Sequence, residues 1–558
     1  MQRRNFLKNI LPLAAVPFFS NKLVASVVSP DEFSPETLAM VAGDIDRVLV
    51  LVRLHGGNDG LSTVVPIDQY ANLINPKVRK DLMIAENKLL KINGGLQALH
   101  PSMTDMHQLF NDGKMTIVQG VANSANVFSH FHGIDQWDTA SDNTKTYSTG
   151  WMGRYIEKTY NNAPLNYPNL CMNDPFAIEV GAAPSLTMRG KVGSLGQSVN
   201  AGFDGKITLL QDVYNNDDLS LNMKNELAFL RVQQGNTNDY GKKIVKAWDS
   251  GNSSTISYPA SVISNNNNLG ITSTTLGQQL RIVARLLRGG LKTRIFVVNI
   301  GNFDTHANQG TENGVQALLL KDLSNAIGAF QKDLDASNLS EKVMGITYSE
   351  FGRRVQQNDK GSTEHGLGAP MFIFGNKASG KVIGDNYVVN PSTITAGTTV
   401  DMQYDYRQVY KSILSDWFSI CNADSLDILK KDVPKVNEIF KTNTQLATVS
   451  CGPLVEPSDK SCIVSVKEIS GDDHDIYARI QPNPNRGTFS INPSHGFDFS
   501  KPISVSITDI QGRSLYNDQK MRAENEMINI DLQLENGMYI VSVQNAAFRL
   551  NQKIVVQN

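Results

Sequence analysis

Asp304 and His306 stand two residues apart, just past the almost unbroken apolar run Ile295–Ile300 in "IFVVNIGNFDTHANQG". A carboxylate and an imidazole at the mouth of a buried strand are part of a donor set for a divalent metal. The same residue types recur in other loops: Asp59 in "LHGGNDGLS", Ser129, His130 and His132 in "SHFH", Glu350 and Arg353 in "YSEFGRR", and His365 in "TEHG". Seven of the nine histidines lie between His55 and His365, and five of those fall in such loops, a clustering that random scatter rarely produces. On this reading Asp59, Asp304, His306, Glu350 and His365 hold metal, with zinc, manganese or calcium as candidates. Ser129 is a nucleophile activated by that metal and by the free N–H groups of a helix N-terminus. His130 is a candidate acid or base, and Arg353 offers a planar fork to an anion. Taken singly, each has a plainer role. Asn58-Asp59-Gly60 is a common turn, Ser129 is a helix cap worth about 1 kcal/mol, and His365 is a satisfied loop histidine. Taken together, the three carboxylates repel one another unless cations or arginines neutralise them, and about two divalent ions carry the right charge.

The elements that position these loops are legible from periodicity. "DRVLVLVRLHGG", "KMTIVQGV", "TRIFVVNIG" and "EKVMGITYSE" read as buried strands. They alternate with helical stretches such as "TTLGQQLRIVARLLRGG" and "VQALLLKDLSNAIGAFQKDLDAS", whose apolar residues recur at three- and four-residue spacing. Residues 40–442 are therefore expected to form an α/β domain around a parallel sheet. Such sheets bind ligands beyond the carboxyl ends of their strands, which singles out the loops 55–62, 120–132, 301–310 and 349–366.

With 558 residues the chain has room for two to four domains, and 41% apolar and 19% charged residues are globular proportions. A net charge of −2 argues against broad attraction to nucleic acid. The four cysteines form no CxxC, so a structural zinc site or a thioredoxin-like motif is not expected. Residues 443–477 read as a polar linker, in which Cys451 and Cys462 could close a short disulfide loop in an exported protein. Residues 478–558 show short alternating runs between turn signals, the pattern of a small all-β sandwich. The N-terminus, "MQRRNFLKNILPLAAVPFFSNKLVAS", pairs Arg3 and Arg4 with the apolar run Ile10–Phe19. That run is too short and Pro-interrupted for a membrane span and fits a signal over residues 1–28; no other window approaches a span.

Three resemblances add to this reading. The N-terminus resembles a twin-arginine signal, which implies the twin-arginine translocase as a partner and periplasmic transit of a folded protein. Residues 478–558 resemble the C-terminal sorting domain of type IX secretion, through Pro482-Asn483-Pro484…Gly487, Asp509…Gly512, Leu534…Gly537…Tyr539 and the closing Lys553-Ile554-Val555-Val556. That implies handling by the type IX machinery and a cell-surface or extracellular destination. Residues 45–440 resemble domain-of-unknown-function family 1501, through "GGNDGLS", "SHF", "TGWMGRY", "FDTHANQ", "YSEFGRR", "TEHG" and "DYRQVY". The order Asp59, Ser129, Asp304 with His306, Glu350, His365 is similar to that of the alkaline-phosphatase superfamily. It implies a mostly parallel sheet sandwiched by helices and a metal-dependent hydrolase acting on a small anionic phosphate or sulfate ester. There are departures. One residue separates Asp304 from His306 where phosphatases usually have three, Phe351 follows Glu350 where a second histidine ligand is common, and no Cys-x-Pro-x-Arg lies near Ser129. These disfavour a formylglycine sulfatase and a full two-zinc site, and favour a single-metal or altered site. The rival is a non-catalytic cell-surface binding or assembly protein on the same fold. A glycan-binding role for the sandwich is disfavoured, since residues 478–558 contain no Trp to stack on sugar.

Overall fold

The computed structural model describes residues 47–207, 237–444 and 478–556, interrupted at 125–127, 143, 146, 161–162, 165–166, 169–171, 192, 252–253, 265–267, 443, 445–477, 482–485, 494–502, 510–513, 522–527 and 546–547. The expected signal (1–28), the linker with Cys451 and Cys462, and Pro482-Asn483-Pro484 and Gly512 of the sorting motifs lie outside the described residues. Tertiary contacts divide the chain into two compact units, Met1–Ile207 with Lys242–Ile463 and Thr208–Gly241 with Val464–Asn558.

In the larger unit nine strands form one sheet: β1 (Val48–Leu54), β2 (Met115–Ala122), β3 (Ala177–Val180), β4 (Gly196–Val199), β5 (Ile295–Ile300), β6 (Val343–Tyr348), β7 (Ala369–Phe374), β8 (Val382–Ile383) and β9 (Tyr404–Asp405). Their order is β8-β2-β7-β6-β1-β5-β3-β4, with β9 also beside β2. Every pairing is parallel except the two made by β7, which runs against β2 and β6.

The unbroken apolar run of β1 makes sense only with both faces covered. Val48, Val50, Val52 and Leu54 enter one core, and Leu49 and Leu51 the other. On the first face lie helices α3 (Leu276–Arg288) and α4 (Val315–Ala336), whose Leu280, Val283 and Leu287, and Leu319, Leu323, Ile327 and Phe330, recur at helical spacing. On the second lie α2 (Trp151–Thr159) and α5 (Tyr406–Ser412), which bring Trp151, Tyr155, Tyr406 and Tyr410.

Helix α1 (His130–Thr139) is tied to the same face by polar groups. Arg53 of β1 pairs with Asp138 at 2.6 Å and donates to the Tyr348 hydroxyl at 2.9 Å, all of them buried. Trp137 stacks on Tyr406 and Tyr348 and donates from Nε1 to the Glu350 carbonyl at 3.1 Å. These contacts hold the last turn of α1 beside the end of β6.

The reversed strand has a functional consequence. Ala369 pairs with Val121 and Phe374 with Met115, so β7 begins where the parallel strands end. Residues just before β7 therefore reach the same sheet edge as residues just after β1, β5 and β6. They arrive through a hairpin, Gly352–Gln357 against Thr363–Gly366, in which Arg353 lies opposite His365.

Cys421 is disulfide-bonded, which the sequence reading did not anticipate. Among the described residues no helix is long and apolar enough to cross a membrane.

The smaller unit is the expected antiparallel sandwich. One sheet joins Ala478–Gln481, Thr488–Pro493 and Ile528–Asp531; the other joins Ser514–Met521, Ile503–Asp509, Gly537–Asn545 and Phe548–Val556. Ile503, Val505 and Ile507 point inward between outward serines, and Phe489, Ile491, Ile530, Val541 and Ile554 complete the core. Tyr539 is buried and its hydroxyl donates to the Glu535 carbonyl at 2.7 Å.

Candidate metal centre

The loop after β1 passes directly beneath the loop after β5. Gly56 makes this approach possible: its φ is +119°, and a Cβ there would lie 2.2 Å from the Asp304 amide nitrogen. Arg353 fastens the two loops to the hairpin. Its guanidinium donates to the carbonyls of Gly57 at 2.8 Å, Thr363 at 3.0 Å, Phe303 at 3.0 Å and Gly56, and to Asp304 Oδ1 at 2.7 Å. Its side chain is fully buried.

Above this platform three imidazoles meet Asp304. His306 Nε2 is 2.9 Å and His365 Nε2 3.0 Å from Oδ1, and His130 Nε2 is 3.4 Å from Oδ2. The two Nε2 atoms of His306 and His365 are 2.9 Å apart. His130, Asp304 and His365 form a group of donor atoms all within 4.8 Å of one another, close enough to share one metal ion. The ring of Phe351 packs against His130 and His365, with centroids 4.9 and 4.5 Å away, as an apolar floor.

The far nitrogen of each imidazole is already engaged. His130 Nδ1 meets Glu350 at 2.8 Å, His306 Nδ1 meets Glu364 at 2.7 Å, and His365 Nδ1 meets the Phe128 carbonyl at 2.8 Å. A carboxylate or carbonyl oxygen can only accept, so the proton of each neutral ring sits on Nδ1 and the lone pair of each Nε2 points toward Asp304. With the rings neutral, lone pairs and a carboxylate converge with no proton between them, which is how metal-ligating histidines are oriented by outer partners. Without a metal, a ring must take a second proton on Nε2 to hydrogen-bond Asp304. Phe128 turns its carbonyl inward by adopting φ +55°, a costly conformation for a bulky residue.

The charges point the same way. The side chains touching the imidazoles or Asp304 are three carboxylates, Asp304, Glu350 and Glu364, against the single guanidinium of Arg353. A divalent cation balances the remainder. Without one, protons take its place. The hydrogen bond to Glu350 holds the His130 pKa above its ordinary value despite partial burial. Burial pushes His365 down, offset in part by its hydrogen bond to Asp304. Burial also pushes Asp304 up, but the hydrogen bonds from Arg353 and His365 and the charges of Arg353 and His306 outweigh it and hold the carboxyl at about 2.

Of the residues read from the sequence, the fold brings together His130, Asp304, His306 and His365. Asp59 and Glu350, expected as ligands, stand elsewhere. Asp59 is sealed in, with both oxygens 3.0 Å from Arg79 Nη1 and Oδ2 2.6 Å from Ser62 and Gln309. Glu350 is equally buried, and its Oε1 accepts from the Gly56 amide and His130 at 2.8 Å each, so it fixes the His130 ring from behind. Arg353, expected to clamp an anion, spends its donors on loop carbonyls and Asp304. Ser129 is exposed at the N-cap of α1, and its hydroxyl makes no cap hydrogen bond, so the plain capping role is not what the structure shows. The sequence reading gave Glu364 no role and missed Arg79. Glu364 adjoins His365 in "TEHG" and was open to notice; Arg79, twenty positions from Asp59, carried no signal.

An α/β sheet with a histidine–carboxylate cluster at its carboxyl edge defines the class. Residues 46–429 match the family described as protein of unknown function DUF1501, and the chain belongs to that family. Residues 479–557 match the secretion system C-terminal sorting domain. No curated protein matches the chain. Solved structures give distant likenesses. An alkaline-phosphatase-superfamily protein from Vibrio parahaemolyticus is 9% identical, with 96% of this chain and 92% of that one covered and a TM-score of 0.26. The PsFucS1 sulfatase from Pseudoalteromonas sp. is 8% identical over 66% and 74%, with a TM-score of 0.27. Alkaline phosphatase from the Antarctic bacterium TAB5 is 9% identical over 62% and 97%, with a TM-score of 0.24.

Proposed function

We propose that this chain, exported by virtue of its sorting domain, is a metal-dependent hydrolase acting on a phosphate or sulfate ester. In this reading it holds one divalent cation at His130, Asp304 and His365, with His306 beside them. The observation that carries the reading is the convergence of three imidazole Nε2 atoms on one carboxylate, each ring fixed from behind by an acceptor. Three nitrogens and one carboxylate suit zinc-class ions better than calcium, which prefers all-oxygen shells. One cation is favoured over two because Asp59 already has Arg79 as its counter-ion, and Glu350 is committed to His130. When bound, such a cation acts as a Lewis acid on an ester oxygen. The chain's own residues supply the rest. Ser129 offers an uncommitted hydroxyl at the positive end of α1. With its Nε2 given to the cation, His130 is not the base expected from the sequence; Glu350 fixes its ring from Nδ1. Arg353 keeps Asp304 in place. The disulfide at Cys421 suits an oxidising compartment, in keeping with export.

The non-catalytic reading on the same fold draws on one observation: Arg353 is fully engaged, leaving no cation from the expected set for the substrate anion. Metal content after zinc reconstitution separates the outcomes, measured on wild type beside Asp304→Ala and His365→Ala. One equivalent, lost in both variants, is expected; folded, metal-free wild type overturns the proposal. Turnover of p-nitrophenyl phosphate or sulfate that disappears in Ser129→Ala supports catalysis. Metal binding without turnover of either ester leaves the binding protein as the better reading.

A further inference from the structure

Two histidines of the site loops take no part in the metal centre. His132 turns to Gln136 of its own helix, at 3.1 Å. His55 directly follows β1, at the carboxyl edge of the sheet. Its neighbour Gly56 donates its amide to Glu350 and lies against the Asp304 backbone, so His55 is one residue from the contacts that join those loops.

Behind His55 stands a buried relay. His55 Nε2 is 3.0 Å from Asn299 Oδ1, Asn299 Nδ2 donates to Glu179 Oε1 at 3.0 Å, and Glu179 Oε2 accepts from the Ser185 amide at 2.7 Å. Gln279 of α3 clamps the Asn299 backbone with 2.8 Å hydrogen bonds to its N–H and its carbonyl. Glu179 is 1% exposed, and among the described residues its hydrogen bonds come only from these two neutral N–H groups. Arg53 attracts it through space but is paired with Asp138. A carboxylate buried without a contacting cation is costly. Its effect here is directional. A carboxylate only accepts, so the Asn299 amide turns its nitrogen to Glu179 and its oxygen to His55. That oxygen also only accepts, so the neutral His55 ring carries its proton on Nε2 and its lone pair on Nδ1. Asn299 lies opposite Arg53 in the β1–β5 ladder, two residues behind His55. Nε2 is therefore drawn back along the sheet, and Nδ1, on the other side of the ring, is turned toward the carboxyl edge. Among the described residues Nδ1 has no hydrogen-bond partner, and it is open to solvent. The three imidazoles around Asp304 are held the other way, by Nδ1 with Nε2 facing inward. Burial and the charge of Arg53 lower the His55 pKa, and the hydrogen bond to Asn299 and the charges of Glu350 and Asp138 offset them only in part. At neutral pH the ring is in the form that takes a proton.

We infer that His55 is the general base of the proposed hydrolase, with Asn299 and Glu179 as its positioning residues. This role rests on the ester-hydrolase reading above. As the attacking oxygen, Ser129 Oγ in that reading, forms its bond to phosphorus or sulfur, Nδ1 takes its proton. The bond from that phosphorus or sulfur to the alcohol oxygen breaks, its electron pair leaves with the alcohol oxygen, and Nδ1 passes the proton to it. Water then attacks the serine ester and loses a proton to Nδ1, which returns it to Oγ. Between transfers the charge of Glu179, relayed by Asn299, favours the imidazolium.

Turnover of p-nitrophenyl phosphate and p-nitrophenyl sulfate by the zinc-loaded full chain, from about pH 5 to about pH 9, tests this. Wild-type kcat/KM should fall on the acid side as His55 takes up a proton, below the ordinary imidazole value of about 6.5. His55→Asn should keep wild-type zinc content, lower kcat by about 100-fold or more and lose that acid limb. Glu179→Gln removes the charge behind the relay, so its acid limb should move to lower pH with KM little changed. A wild-type rate or an unchanged acid limb in His55→Asn overturns the inference and leaves the hydrolase reading standing, and so does loss of zinc, which would make His55 a ligand. If His55→Asn does not fold, an unmoved limb in Glu179→Gln overturns it alone. Zinc-loaded wild type that turns over neither ester overturns both.

Discussion

Asp59 and Asp304 follow adjacent parallel strands, β1 and β5, and each lies within five residues of its strand end. Their fates differ. The Asp59 side chain is 1% exposed and faces Arg79, itself 0% exposed; that of Asp304 is 44% exposed and faces three imidazoles as well as Arg353. A carboxylate sealed in the interior needs a permanent counter-ion built into the chain. A carboxylate at the rim can take an exchangeable one. On the proposed reading, depth at the sheet edge, more than residue type or spacing, separates a structural ion pair from a candidate metal ligand.

The sharpest way to break this contrast is Asp59→Ala. It leaves a buried guanidinium unpaired and should cost about 3–5 kcal/mol in urea unfolding. Metal content in the folded fraction should be untouched; a loss of metal there would return Asp59 to the ligand set. Next comes Gly56→Ala, whose new methyl collides with the Asp304 backbone. A cost of about 1–3 kcal/mol is expected, together with weaker metal retention; wild-type values for both would mean the loops yield easily. Removing an orienting carboxylate is gentler. Glu350→Gln and Glu364→Gln should each lower zinc affinity about 10–100-fold, read by competition with a chelator, with little change in unfolding midpoint. Affinity unchanged in both would show that the rings are held by packing alone.

The smallest effect is on proton binding in metal-free protein. His130 is held above its ordinary value of about 6.5, so its contribution to stability is complete below that value and is lost as pH rises through the folded-state value. Asp304 behaves in the opposite sense. Its contribution is present above the ordinary carboxylate value of about 3.9 and is lost as pH falls toward about 2. Imidazole proton NMR should place His130 above the ordinary range in wild type and lower it in Glu350→Gln. Coincident titrations would remove Glu350 as the cause.

Much of the scaffold was readable because it depends on local pattern. The runs at Val48–Leu54, Ile295–Ile300 and Val343–Tyr348 emerged as neighbouring parallel strands, and Ile503, Val505 and Ile507 as the inward stripe of a sandwich. The site was readable as a set of loops but not as a list of roles. Glu350 and Asp304 look alike in sequence, yet one lies behind an imidazole and the other in front. Arg353 looked like an anion clamp because nothing local shows that four backbone carbonyls converge on it.

By itself, then, the sequence determined the alternation of strands and helices, the edge at which the chemistry gathers, and the small sandwich at the end. Hydrophobic periodicity and turn residues act over a few positions and leave their mark there. Only the tertiary structure decided which carboxylate is sealed and which nitrogen of each ring faces Asp304. Those properties depend on groups brought together from distant positions in the chain, at a burial depth that no single stretch encodes.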